Sequence, residues 1–162
     1  MKLALIGYGK MGKAIEEVAL HRGHEVVIKI DQPNLHEFTK ENLSKADVAI
    51  EFTGPHSALE NIKKCLEFGV PVVCGSTGWT EHLDEMKKLC AGKLGGFIYS
   101  SNFSIGVNIF FEVNKRLAEL MAAHKEYEVI LEETHHTQKK DAPSGTAITL
   151  AEQVLQYIKR KK

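Results

Sequence analysis

The fold is decided by residues 3–12, Leu-Ala-Leu-Ile-Gly-Tyr-Gly-Lys-Met-Gly. The continuously apolar run at residues 3–6 predicts a strand that is buried on both faces of a parallel sheet. Three glycines follow it directly, and apolar residues at helical spacing then continue as far as a stop signal at Gly23. This order of strand, Gly-x-Gly-x-x-Gly turn and helix is typical of a dinucleotide-binding fold.

Each glycine of this turn has its own role. Gly7 permits the tight turn, Gly9 lets a pyrophosphate approach the backbone, and Gly12 lets the helix pack closely on the strand. The second strand, residues 26–30, ends at Asp31, at the distance where Rossmann folds place an acid on the adenosine ribose. Because a carboxylate binds both ribose hydroxyls and repels a 2'-phosphate, we expect NADH to be favoured, with NADPH possible.

Two alternatives stay open at this end of the cofactor. Lys29 or Lys40 can reach a 2'-phosphate, which would allow NADPH to bind. Asp31 can instead begin an Asp-Gln-Pro-Asn turn without contacting any ligand.

Strands alternate with helices over the first hundred residues. A polar stretch at 35–45 predicts a short helix. Pro55 is expected near the first position of the next helix, which Gly69 ends. Further strands are predicted at 48–53, 70–74 and 97–100. The order predicts an α/β fold with a Rossmann-type doubly wound parallel sheet. Small and polar loops at 75–79 and 101–108 would outline a cofactor groove at the carboxyl edge of that sheet.

The remaining third of the chain predicts a different architecture. A helix at 106–123 carries a stripe of apolar residues that we expect to face a core. An alternating run at 127–134 predicts a strand that begins a second sheet. We therefore expect a dinucleotide-binding domain at 1–104. Residues 105–162 are expected to begin an α+β substrate-binding and oligomerisation domain, which these residues would leave incomplete.

Residues 132–146, Glu-Glu-Thr-His-His-Thr-Gln-Lys-Lys-Asp-Ala-Pro-Ser-Gly-Thr, carry the densest chemistry. The two histidines can exchange protons near neutral pH, and the two lysines supply positive charge. The closing Ser-Gly-Thr opens a helix with free N–H groups, which suits an anion such as a carboxylate. Together these groups indicate a small acidic substrate that is protonated during the reaction. The alternative is an ordinary capped helix start with solvated side chains.

Composition excludes several other classes of function. Lysine plus arginine equals aspartate plus glutamate at 21 each, so we expect no nucleic-acid partner and no binding to an anionic membrane. No signal-peptide core and no membrane span is expected. Cys65, Cys74 and Cys90 are odd in number and lack metal-ligand spacing, which favours a reducing cytoplasm and buried thiols.

Several segments together carry a resemblance to one enzyme family. They are residues 7–12, 51–53, 75–78, 101–108, 133–136, Lys139 and 141–146. In these segments the chain resembles dihydrodipicolinate reductase, also called 4-hydroxy-tetrahydrodipicolinate reductase, over nearly its whole length. The resemblance implies hydride transfer from a reduced nicotinamide to a cyclic dicarboxylate, which yields tetrahydrodipicolinate in lysine and diaminopimelate biosynthesis. It also implies a homotetramer.

The resemblance assigns roles to individual residues. His135 would be the proton donor and Lys139 a second acid. The substrate carboxylates would be held by His136, Lys139, Ser144, Gly145 and Thr146. The cofactor would contact Gly7, Tyr8, Gly9, Lys10, Met11, Gly12, Asp31, Gly75, Ser76, Thr77, Ser100, Ser101, Asn102 and Phe103.

The sequence departs from the family pattern in three respects. Its glycine loop is one residue shorter than the common form, with Lys10 where arginine is usual. The arginine that often follows the ribose-binding acid is absent, which weakens use of NADPH. The family's chains are also longer, and we expect a C-terminal part to be lacking here.

Other functions remain as alternatives. One is a Rossmann dehydrogenase of a different small amino or dicarboxylic acid, such as an aspartate or homoserine dehydrogenase, which would not need the His-His block. Another is a module that senses NAD(H) without turnover. A zinc site at His135 and His136 is disfavoured, because adjacent strand residues point to opposite faces and no third ligand is near.

Overall fold

Five short strands form a parallel sheet in the first part of the chain. The structure, a computed structural model, describes residues 1–93, 95–135, 137, 139 and 142–159. It divides into two units, Met1–Ser100 and Ser101–Lys162. The strands of the first unit are β1 (Lys2–Ile6), β2 (Glu25–Ile30), β3 (Val48–Glu51), β4 (Val72–Cys74) and β5 (Phe97–Tyr99).

The strand order across the sheet is β2-β1-β3-β4-β5, and every neighbouring pair is parallel. The chain therefore runs from β1 to β2 on one side, and then returns to place β3 on the other side of β1. This reversal is the topological switch point at which doubly wound folds bind their ligands. The Rossmann-type fold predicted from the sequence is confirmed.

Helices connect these strands. They are α1 (Lys10–His21), α2 (Lys40–Leu43), α3 (Ala58–Glu67) and α4 (Leu83–Gly92), with short 3-10 helices at Gln32–Glu37 and Thr80–His82. Pro55, which was expected near the first helical position, lies in the turn just before α3. The N–H groups of Ser57 and Ala58 both donate to the carbonyl of Gly54, which closes a turn before α3 begins.

The core of the first unit holds the strand ends and the following loops in place. Buried aliphatic side chains of the sheet, such as Ile6 and Ile30, pack with residues of α3 and α4. Each contributes roughly 1.5–3 kcal/mol through burial. Trp79 is also buried, with its ring at 5.2 Å from that of Tyr99. Its indole N–H donates to the carbonyl of Ser76 at 2.7 Å, which anchors the loop after β4.

Two helices, α5 (Ile105–Met121) and α6 (Gly145–Tyr157), pack together in the second unit. Asn114 on α5 connects them, because its side-chain amide donates to the carbonyl of Leu150 at 3.1 Å and to Oε1 of Gln153 at 3.0 Å. Gln153 is buried, so this polar contact fixes how the two helices face each other.

The apolar stripe of α5 is less buried than the sequence predicts. Phe111 is buried, but Val113, Leu117 and Leu120 are each more than half exposed. Among the described residues of the second unit, α6 is the helix that packs on α5, whereas a stripe this wide needs several neighbours. Although α5 exposes these side chains, no helix in the described part of the chain is long and apolar enough to cross a membrane.

The strand predicted at 127–134 is not formed. Residues 127–135 have no regular secondary structure, although their apolar residues alternate as in a strand. A strand requires a neighbour for its N–H and C=O groups. The described residues of the second unit include no other strand that could pair with it.

Candidate functional site

The five strands end in register at one edge of the sheet. Their last residues, Ile30, Ile6, Glu51, Cys74 and Tyr99, pair side by side across it. The next residue of each strand therefore leaves the sheet at the same edge. Four of these residues were predicted to bind the cofactor, namely Asp31, Gly7, Gly75 and Ser100. The fold thus brings the predicted cofactor residues of the first unit together.

The glycine turn has the geometry that a dinucleotide requires. Gly7 has a φ of 92°, and a Cβ there would overlap the carbonyl oxygen of Phe52. A Cβ on Gly12 would likewise overlap the carbonyl oxygen of Gly7. In contrast, no described atom outside its neighbours lies within 4 Å of a Cβ built on Gly9. Gly7 and Gly12 are therefore needed for packing, whereas Gly9 opens onto space that a phosphate can fill.

The N-terminus of α1 lies directly after this space. Gly9 is its N-cap residue and provides no side chain to satisfy the first N–H groups of the helix. These groups carry partial positive charge and suit an anion. Lys10 and Met11 are exposed here, and Tyr8 is half-buried with its hydroxyl donating to Glu16. The turn therefore fits the pyrophosphate of a dinucleotide.

Asp31 caps the 3-10 helix that follows β2. Its Oδ1 accepts from the N–H of Gln32 at 2.9 Å, and its own N–H donates to Oδ1 of Asn34 at 2.8 Å. The turn considered as an alternative is therefore present. A carboxylate has about four acceptor sites, so capping still leaves capacity for a ribose hydroxyl.

A buried carboxylate that received no role from the sequence ties the loop after β4 to β3. Glu51 is fully buried, and its Oε1 accepts from both the N–H and the hydroxyl of Thr53. Its Oε2 accepts from the thiol of Cys74 at 3.1 Å, and the N–H of Thr53 also reaches Oγ of Ser76 at 2.9 Å. A buried polar group is tolerated when it is hydrogen-bonded in this way. The sequence feature that could have indicated this role is the position of Glu51, an acid at the end of an otherwise apolar strand.

This network positions the predicted Gly75-Ser76-Thr77 loop. The N–H of Gly75 donates to the carbonyl of Glu51 at 3.0 Å, and Ser76 is buried. A Cβ on Gly75 would overlap the ring of Phe52, so a larger residue there would require that ring to move. Thr77 is half-buried. On the next strand, the N–H of Ser100 donates to the carbonyl of Cys74 at 3.3 Å.

Three further residues predicted for the cofactor belong to the second unit. Oδ1 of Asn102 accepts from the N–H of Ser104 at 2.8 Å, and the carbonyl of Asn102 accepts from the side chain of Asn108 at 3.0 Å. Ser101 is half-buried and Phe103 is 47% exposed. These contacts shape the loop that leads into α5.

Glu133 links the predicted proton donor to the predicted anion site. One carboxylate oxygen lies 2.8 Å from Nε2 of His135, and the other accepts from the N–H of Ser144 at 2.9 Å. Hydrogen bonds from Ser144 and from His135 lower the pKa of Glu133 to about 2. Because an ionised carboxylate can only accept, Nε2 carries its hydrogen, and Nδ1 is left for proton exchange.

The same contact corrects one expectation about the helix start. The N–H of Ser144 is not free, because it donates to Glu133, and Oγ of Ser144 caps the N–H of Ala147 at 3.1 Å. Glu133 was named in the motif but received no role. Its position two residues before His135 was the available signal, since residues i and i+2 share a face in an extended segment.

A cavity of about 400 Å³ adjoins this pair within the second unit. Glu133, His135, Ser144 and Thr146 line its polar side. Its apolar side comes from residues of α5, α6 and the segment at 129–131. Gly145 and Lys139 are half-buried. The predicted residues His136 and Lys140 lie outside the described residues.

The cysteines and histidines of the described chain do not form a metal site. No group of three or more His, Cys, Asp and Glu residues there is arranged to hold a metal ion. Cys65 and Cys74 are buried, and burial raises the pKa of the Cys65 thiol to about 12. Burial also raises the pKa of Cys74. A raised pKa keeps these two side chains in the protonated thiol form at neutral pH.

Comparison with known proteins matches both units to one family. The protein-family model described as "Dihydrodipicolinate reductase, N-terminus" matches residues 1–103. A second family model, "Dihydrodipicolinate reductase, C-terminus", matches residues 106–162. The 4-hydroxy-tetrahydrodipicolinate reductase of Christiangramia forsetii is 45% identical, over 100% of this chain and 67% of that protein. The enzyme of the same name from Methanobrevibacter smithii is 36% identical, over 99% of this chain and 67% of that protein.

A solved structure agrees with these matches. The dipicolinate-bound dihydrodipicolinate reductase from Paenisporosarcina sp. TG-14 has a TM-score of 0.69 and 31% identity. The match covers 97% of this chain and 66% of that one. The chain therefore spans about two thirds of the length of these three similar proteins.

Proposed function

The chain belongs to the dihydrodipicolinate reductase family, and we propose that it catalyses the reaction for which its relatives are named, the reduction of 4-hydroxy-tetrahydrodipicolinate. The family predicted from the sequence is confirmed, as is its enzyme class, the NAD(P)H-dependent oxidoreductases. The product is tetrahydrodipicolinate, on the route to diaminopimelate and lysine.

The contact that supports this proposal best is the one made by Glu133. Its carboxylate joins the imidazole of His135 to the first residues of α6 in a single hydrogen-bonded group. A proton donor is thereby held beside a helix N-terminus, which favours anions. A reductase of a dicarboxylate needs these two functions next to each other.

In the proposed reaction the 4-hydroxyl group of the substrate leaves as water together with a ring hydrogen, and a bound reduced nicotinamide would supply the hydride that reduces the resulting double bond. Protonated on Nδ1 as well as on Nε2, His135 then donates its Nδ1 proton to the negative charge that the hydride leaves on the ring. Glu133 acts as a positioning residue, because it fixes the orientation of the imidazole and the nitrogen that carries the hydrogen. Lys139 is the second acid, and its ammonium stabilises the developing negative charge.

The substrate carboxylates are proposed to bind at the start of α6. Gly145 and Thr146 follow Ser144, whose N–H is already bound to Glu133. We therefore assign the anion chiefly to the Gly145 and Thr146 backbone, the Thr146 hydroxyl and Lys139. Ser144 contributes by holding Glu133 in place, and His136 completes the predicted set.

Fold and family support a nicotinamide dinucleotide as the cofactor. We propose that residues 7–12 hold its pyrophosphate and that the loops at 75–77 and 100–103 hold its nicotinamide half. The open space at Gly9 supports the first assignment. The adenosine ribose is assigned to Asp31, which favours NADH over NADPH because a carboxylate repels a 2'-phosphate.

The family and the free cysteines support a proposal about the cellular setting and the assembly. We propose that the protein acts in the cytoplasm as a homotetramer. Cys65, Cys74 and Cys90 are all free thiols, which suits a reducing compartment. Light scattering on the purified protein tests the assembly, with a mass of four chains expected and that of one chain contradicting it.

An assay that generates the unstable substrate in place tests the proposed reaction. The synthase that condenses pyruvate with aspartate semialdehyde supplies it, and NADH absorbance is followed with and without this protein. We expect rapid NADH oxidation that depends on both proteins. If the protein binds NADH without oxidising it, the result would instead indicate a sensing module. If the protein does not bind NADH, the result would reject both the proposed reaction and the proposed dinucleotide site.

A further inference from the structure

Three side chains of the first unit form a compact cluster beside the glycine turn. Glu16 on α1 lies between Tyr8 and Lys29. The Tyr8 hydroxyl donates to one carboxylate oxygen, and the Lys29 ammonium donates to the other at 3.1 Å. The same ammonium lies 4.8 Å from the centre of the Tyr8 ring. Lys29 is therefore held in one place by an acid and by an aromatic face.

The cluster keeps Glu16 ionised. The hydrogen bond from Tyr8, followed by that from Lys29, lowers the pKa of Glu16. Its side chain is 19% exposed, whereas that of Lys29 is 44% exposed. Lys29 can therefore be reached from solvent, but its positive charge is offset by the carboxylate beneath it.

Lys29 shares a cleft with the residue assigned to the adenosine ribose. Tyr8, Lys29, Asp31, Asn34 and Glu37 all line this cleft. Of its described lining residues, Lys29 is the only one with a positive charge. A 2'-phosphate bound beside Asp31 would need a cation close by, and Lys29 is the cation that the cleft offers.

We infer that Glu16 is a residue that determines cofactor specificity, because its pairing with Lys29 denies NADPH the cation that its 2'-phosphate requires. The inference rests on the proposed function, which places the adenosine ribose at Asp31. It assigns the preference for NADH to two carboxylates with different tasks. Asp31 repels the phosphate directly, and Glu16 neutralises the side chain that would otherwise attract it.

The substitution Glu16→Gln tests this role. Glutamine keeps the size and can still accept from Tyr8, but it no longer neutralises Lys29. Dissociation constants for NADH and NADPH are measured by calorimetric titration, with circular dichroism as the check on folding. We expect NADPH to bind about fivefold more tightly than to the wild type. NADH affinity should change by less than about twofold.

Two matched variants complete the experiment. Glu17→Gln removes the same charge from the exposed neighbouring position on α1, and we expect no change in the NADPH to NADH ratio. The double variant Glu16→Gln/Lys29→Met should lose the gain in NADPH affinity. If Glu16→Gln does not fold, Lys29→Met alone decides the question. The NADPH affinity of Lys29→Met should lie within about twofold of the wild-type value, because a neutralised lysine contributes little to binding.

Several results would overturn the inference. One is an equal change in the affinities of both dinucleotides, which would make Glu16 a structural residue. Another is a gain in NADPH affinity that survives Lys29→Met in the double variant. A wild-type protein that binds neither dinucleotide would reject the proposed function and the inference together. A wild type that binds NADH, combined with an unchanged ratio in Glu16→Gln, would reject the inference alone.

Discussion

His135 and Glu133 are adjacent groups with different proposed tasks, and single substitutions separate these tasks. His135→Gln removes the proton donor, so we expect turnover in the coupled assay to fall at least ~100-fold. NADH affinity should stay nearly unchanged, because His135 is assigned no cofactor contact. His124→Gln is the control, since His124 is an exposed histidine of the same unit that is paired with Glu126. An equal loss of NADH binding would remove His135 from the chemistry.

Glu133 also predicts how stability depends on pH. Its pKa is lowered from an ordinary 4.5 to about 2 by Ser144 and His135. A lowered pKa means that the ionised form stabilises the folded state above pH 4.5, and that this stabilisation is lost as pH falls towards 2. We expect the melting temperature of Glu133→Gln to lie below that of the wild type above pH 4.5. The difference between the two melting temperatures should become smaller as the pH falls. A gap that stays constant over that range would contradict the pairing.

Asp31 combines a structural role with a proposed binding role. Asp31→Ala removes the cap on the 3-10 helix, which costs about 1 kcal/mol of stability. It also removes the ribose acceptor, so we expect NADH to lose affinity while NADPH loses less or gains. Calorimetric titration of both dinucleotides measures the ratio. Equal losses would mean that Asp31 acts only as a cap.

At the scale of elements, the glycine turn allows packing and binding to be tested separately. Gly9→Ala adds a Cβ to open space, so we expect an unchanged melting temperature. The added methyl group lies where the pyrophosphate is proposed to approach. Overpacking of this kind costs about 1–3 kcal/mol. We therefore expect the affinity for NADH to fall roughly tenfold or more.

Gly12→Ala is the contrasting variant. Its Cβ would overlap the carbonyl oxygen of Gly7, so α1 must move away from β1. We expect a loss of about 1–3 kcal/mol in the free energy of unfolding, measured by urea denaturation. If Gly9→Ala destabilised the fold and Gly12→Ala did not, the proposed roles of the two glycines would be wrong.

The elements show what a sequence pattern can and cannot predict. The strands of the sheet were predicted because buried parallel strands appear as apolar runs between turn signals. The exposure of Val113, Leu117 and Leu120 could not be predicted, because a periodic stripe marks a face without showing what covers it. The strand expected at 127–134 failed for the same reason, since alternation does not reveal whether a pairing partner is present.

At the scale of the whole molecule, the family and the two predicted groups of site residues came from local motifs. The contacts that hold these residues in place could not be predicted from such motifs. The thiol of Cys74 donates to Glu51 on the neighbouring strand, and the N–H of Ser144 donates to Glu133 on the other side of a loop. Such pairs lie far apart in the sequence, and their register depends on the fold. The site residues therefore stay predictions from the sequence, whereas the structure shows that Glu51 and Glu133 are hydrogen-bonded to the segments that carry them.

A crystal structure of the protein with NADH and a bound pyridine dicarboxylate tests the central claim most directly. We expect the dinucleotide to lie along residues 7–12 and the imidazole of His135 to lie beside the nicotinamide. Nδ1 of His135 should lie about 3 Å from the ligand ring or its bound water. An imidazole that points away from the nicotinamide in that complex, with the dicarboxylate bound elsewhere than at Gly145 and Thr146, would contradict it.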